Sequence, residues 1–153
     1  MKKSLLIFLA ILTSIVSHWT MAQDVMVENA WIRAMPPTSR VVPIYLTMKN
    51  NGDQPIKLLA INSPNGRIEL HQTVMKDGVM RMTPVQKIMV DSKGKTLMAP
   101  GGYHGMMMNF TQGVPTKGDS VPLTLTFNNG EKLKVMAAVK MNNDEDMHHH
   151  HHH

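Results

Sequence analysis

The chain has 153 residues, a formal net charge of +5, no cysteine and 16 methionines. Without cysteine, a disulfide framework, a thiolate zinc site, a CxxC redox motif and a cysteine nucleophile are all excluded. The basic residues are scattered between apolar positions, with no arginine-rich run or aromatic stripe to follow phosphates, so nucleic acid is not an expected partner.

In chain order, Met1, Lys2 and Lys3 form a basic start and Ser4 to Val16 a nearly unbroken apolar run, followed by Thr20-Met21-Ala22. That is the pattern of a secretory signal, residues 1–22, cleaved before Gln23. The apolar run is shorter than the roughly 20 residues a membrane span needs, so no membrane insertion of the mature form is expected. At the other end His148 to His153 read as an expression tag after a short polar tail, residues 142–147. Between them, residues 23–141 suffice for one domain with one core.

That domain reads as all-β. Val25-Met26-Val27, Ile44 to Met48, Ile56 to Ile61, Ile68 to His71, Leu123 to Phe127 and Leu133 to Ala137 are short and largely alternating. Turn signals separate them: Asn50-Asn51-Gly52-Asp53, Ser63-Pro64-Asn65-Gly66, Asp77-Gly78, Ser92-Lys93-Gly94, Pro100-Gly101-Gly102, Lys117-Gly118-Asp119 and Asn128-Asn129-Gly130. No helix-length periodicity competes, and a single β-sandwich is the expectation.

Six of the nine histidines belong to the C-terminal run and His18 to the signal, which leaves His71 and His104. With Met82 and Met106 they give the spacing H-x10-M-x21-H-x-M. Two imidazoles and two thioethers suit Cu(I), a soft ion, whereas hard ions prefer carboxylates and carbonyls. Thioethers need no deprotonation, and they avoid the oxidation that a thiolate risks outside the cytoplasm. A lone histidine in a β protein is usually a surface or hydrogen-bonded residue, and most methionines are core filler. At this methionine frequency, however, a methionine at both offsets by accident has a chance of roughly one in eighty.

Local geometry depends on the turn. If Asp77-Gly78 is a two-residue hairpin turn, position 76 pairs with 79 and 73 with 82. His71 then lies diagonally across from Met82 on one face, and Met80 shares that face. A three-residue loop would reverse this parity. In an extended segment His104 and Met106 point the same way and Met107 the opposite way, with Met108 on the His104 side as ligand or core.

That spacing, together with Asn29-Ala30-Trp31-Ile32-Arg33-Ala34-Met35-Pro36-Pro37, Glu69-Leu70-His71 and Pro100-Gly101-Gly102-Tyr103-His104-Gly105-Met106, resembles the PCu(A)C family of periplasmic copper chaperones. The resemblance implies a cupredoxin-like Greek-key β-sandwich, a monomer exported to the periplasm, which binds Cu(I) through His71, Met82, His104 and Met106. It further implies delivery towards the CuA centre of cytochrome c oxidase, with oxidase subunit II or another copper assembly factor as partner. No enzymatic activity is expected, and a copper-buffering or tolerance role is the alternative. Some relatives hold further copper in a Met/His-rich C-terminal extension; here only Met141 and Met147 precede the tag, so a natural second site is not expected.

Overall fold

The computed structural model describes residues 24–141, so the signal and the histidine run lie outside the described residues. Ten strands follow one another: β1 (Val25–Arg33), β2 (Val41–Asn50), β3 (Ile56–Asn62), β4 (Arg67–Lys76), β5 (Val79–Pro84), β6 (Ile88–Val90), β7 (Lys95–Met98), β8 (Tyr103–Met108), β9 (Ser120–Phe127) and β10 (Lys132–Lys140). No helix occurs among the described residues, in keeping with the absence of 3.6-residue periodicity.

The strands hydrogen-bond in the order β5-β4-β8-β7-β2-β1-β10-β9-β3-β6, with β8 also pairing to β2. Alternation decides which side of this ribbon is dry. β2 buries Val42, Ile44, Leu46 and Met48, and β9 buries Val121, Leu123, Leu125 and Phe127, each set at every second position. These join Leu58, Ile61, Ile88, Leu70, Met107 and Val139 in one core cluster drawn from both halves of the ribbon, which therefore folds into a sandwich. The bend has a local cause. The β1–β2 register shifts between Glu28 and Trp31, where Asn29 takes a left-handed φ of 51°, and past this bulge β1 pairs with β10 as well as β2.

The β4–β5 hairpin turns on Asp77 (φ 53°) and Gly78 (φ 74°), with Lys76 opposite Val79 and Thr73 opposite Met82. Two positive φ values in a two-residue loop make a type I′ turn, whose twist matches the flanking strands and fixes their register. On β8, Met107 is fully buried in the core, which sends His104 and Met106 to the opposite face. Gly105 lets β8 approach closely: a Cβ there would lie 3.2 Å from Cβ of Ile44 and 3.3 Å from Cγ2 of Ile68.

Because Met107 is packed on all sides, Met107→Ala should lower stability by about 2–5 kcal/mol, whereas Met107→Leu should cost below about 1.5 kcal/mol. Urea unfolding of the two variants checks this; equal midpoints would place Met107 outside the core.

Candidate metal centre

The outer face of β4 and β8 gathers the polar and sulfur groups that the core excludes. Antiparallel pairing sets His71 directly opposite His104, with Glu69 opposite Met106 one step along. The two imidazole centres are 6.0 Å apart. A metal about 2 Å from a ring nitrogen lies roughly 3 Å from that ring's centre, so two rings at this spacing can share one ion.

Protonation of His104 follows from its surroundings. Nδ1 lies 3.1 Å from the carbonyl oxygen of Gly102. A carbonyl only accepts, so Nδ1 carries the hydrogen and Nε2 keeps its lone pair. That Nε2 is buried and has no hydrogen-bond partner, and the same is true of His71 Nδ1. Two buried ring nitrogens left without a partner are unusual in a well-satisfied fold, and a metal ion is one group that would satisfy both. The Gly102 oxygen also accepts the backbone N–H of Thr73 at 3.0 Å, so one carbonyl ties the loop before β8 to β4 and orients the ring of His104. The other nitrogen of His71, Nε2, stands 3.7 Å from a Glu69 carboxylate oxygen.

The sulfurs differ in exposure. Met106 is half-buried beside His104. Met82, diagonal to His71 through the Thr73 pair, is 63% exposed on the outermost strand. Met80 shares its face, while Met108 lies opposite Arg67, whose guanidinium donates to its sulfur at 3.4 Å. Among the described residues no group of three or more His, Cys, Asp and Glu side chains converges.

A cavity of about 430 Å³ opens on this face, lined by His104, Met106, Met82, Met80 and Met35 together with Arg33 and Tyr45. His71, the register partner of His104, is not part of that lining. Trp31 packs against Tyr45 with ring centres 4.8 Å apart and the rings tilted by 41°, and the Arg33 guanidinium lies 5.7 Å from the Tyr45 ring. The sequence reading did not select Tyr45, Arg33 or Met35 as part of a site. Trp31, Arg33 and Met35 fell inside the segment that carried the family resemblance, and nothing local marked Tyr45.

The LpqE-like family ("Putative lipoprotein LpqE-like") matches residues 25–139. "Putative lipoprotein Lxx21020" of Leifsonia xyli subsp. xyli is 31% identical over 121 residues, 78% of this chain and 71% of that protein. Among solved structures, the apo form of DR1885 from Deinococcus radiodurans is 32% identical, covers 80% of this chain and 82% of that one, and superposes with a TM-score of 0.61. Its CuI form is 31% identical, with 80% and 83% covered and the same TM-score. The copper-bound PCuAC domain of PmoF2, 21% identical with 78% and 95% covered, shares the fold at a TM-score of 0.66.

Burial of the His104 ring, opposed in part by its bond to Gly102 and reinforced by the neighbouring His71, lowers its pKa from the ordinary 6.5. The unfolded chain therefore takes up this proton first as pH falls. The contribution to stability is full above 6.5 and is lost as pH drops from there through the lowered folded value. In the metal-free protein the His104 ring resonances should titrate with a midpoint below 6.5. A midpoint at or above that value would mean the ring is not desolvated.

Proposed function

The chain belongs to the LpqE-like/PCu(A)C copper-chaperone family, and from that premise we propose that it carries Cu(I) on His71, His104, Met106 and Met82. The observation that carries the reading is the pair of buried, unpartnered ring nitrogens on adjoining strands, flanked by thioethers on the same face. Copper is the cargo. All four donors are neutral, so a monovalent ion enters without displacing a proton at neutral pH, and soft sulfur disfavours zinc.

The unequal burial of the donors suits a carrier more than a store. His104 is held by the Gly102 carbonyl and packed from solvent, whereas Met82 stands on an exposed edge strand where an incoming ligand can replace it. Transfer is then stepwise ligand exchange, with copper remaining Cu(I) throughout. Export to the periplasm, action as a monomer and delivery towards the CuA centre of cytochrome c oxidase complete the proposed role, with subunit II or another assembly factor as acceptor. The lipoprotein designation of the family and of its Leifsonia relative supports a place in the cell envelope.

The test uses protein lacking His148 to His153, since those residues bind metals themselves. Against a competing chelator it should bind Cu(I) tightly, with zinc unable to displace it. Met82→Leu and Met106→Leu should each weaken binding by about tenfold or more with little change in unfolding midpoint. Unaltered affinity in both variants would remove the sulfur ligands from the proposal. Affinity should also fall between pH 8 and pH 5 as protons compete for the imidazoles, and a flat profile would remove the histidines. Loss of oxidase assembly in a deletion strain under copper limitation tests delivery.

A further inference from the structure

The strand that carries Met82 continues past the cavity. β4 pairs with β8 only as far as Gln72, and residues 74–81 run on as a two-stranded ribbon closed by the Asp77-Gly78 turn. On that ribbon Met75 lies directly opposite Met80, the one methionine–methionine pair in cross-strand register among the described residues. Their exposures are 67% and 60%, so neither is core filler.

Exposure alone would mean little, because Met26, Met89 and Met136 are exposed too. Across from those three stand Lys49, Lys57 and Pro122, so none has a second sulfur facing it. Met75 and Met80 differ. Directly opposed residues have Cβ atoms about 4.5–5.5 Å apart, and two flexible thioethers at that spacing can close on one ion with metal–sulfur bonds of about 2.3 Å. Met82 is two residues from Met80 on the same face, about 7 Å along the strand. Met80 and Met82 both line the cavity that holds His104 and Met106.

We propose that Met75 and Met80 form a second, outer Cu(I) site that shares Met82 with the inner one, and that copper enters and leaves the His71/His104 centre through it. The proposal rests on the reading of that centre as a copper site. Only thioethers contribute to the outer site, so it is selective for a soft ion, weaker than the inner site and insensitive to protons over the range in which histidine titrates. Movement between the two replaces one ligand at a time, with Met82 bound throughout; copper stays Cu(I), and no proton or electron is transferred.

The experiment follows methionine methyl and histidine ring NMR signals while Cu(I) is added anaerobically to protein lacking His148 to His153. The first equivalent should shift the His71 and His104 rings, and the second the methyls of Met75 and Met80. A Met75→Leu/Met80→Leu double variant keeps the volume and apolar character of the ribbon. It should lose the second-equivalent response, keep inner-site affinity within about twofold, and release copper to a chelator about tenfold more slowly. Stationary Met75 and Met80 methyls through the second equivalent would overturn the outer site. So would a double variant that exchanges copper as fast as the wild type, because the ribbon would then act through its apolar surface alone. Histidine rings that ignore the first equivalent would instead sink the inner assignment, a separate readout in the same titration.

Discussion

Strand register is the constraint on which the rest of this molecule depends. His71 faces His104 because β4 and β8 are locked in one alignment, and a slip of a single residue would turn His71 into the core and Leu70 out to solvent. Two features hold that alignment. Leu70 and Met107 are anchored in the core, so a slip would expose apolar surface. The Gly102 carbonyl bonds both Thr73 of β4 and the His104 ring. The type I′ turn at Asp77-Gly78 then carries the alignment on to β5 and so to Met82. The hydrophobic core thus fixes the alignment on which the site depends.

The same arrangement grades the site from dry to wet. The rings stand next to the sandwich, Met106 is half-buried, and Met82 projects on an edge strand with neighbours on one side only. Edge strands carry unpaired backbone groups that tend to recruit other chains. Here β5 is short and includes Arg81 and Pro84, both of which discourage such pairing, so long thioethers can stand in solvent on a strand that resists sheet extension.

Much of this was legible in the residues. The alternation in β2, β3, β9 and β10 and the Gly- and Asn-rich turns between them indicated a sandwich, and Asp77-Gly78 predicted the 76–79 and 73–82 pairs that the hairpin shows. The fold of the related solved structures agrees. Strands β6 and β7 did not stand out, and β5 and β8 were read only through the hairpin turn and the His104 segment, for a physical reason. β5, β7 and β8 are rich in methionine and polar residues, which have little strand preference of their own, while β6, Ile88-Met89-Val90, is only three residues long; all four are extended because β2, β3 and β4 offer them partners. The candidate ligands were found by type and spacing. The rest of the cavity lining was not, because Tyr45 reaches it through the β2–β8 pairing and Arg33 through the β1–β2 pairing, relations between distant parts of the chain that no local motif encodes.

The cavity lining has an electrostatic consequence. Arg33 and Arg81 both line the cavity, and Arg33 lies over the Trp31 and Tyr45 rings with its Nε buried and without a hydrogen-bond partner. Two permanent positive charges repel a dication twice as strongly as a monocation at the same distance, and the less water between them, the larger the difference. If the cavity admits metal ions, a monocation would meet less repulsion there than a dication, an effect set against the attraction of the Glu69 carboxylate 3.7 Å from His71.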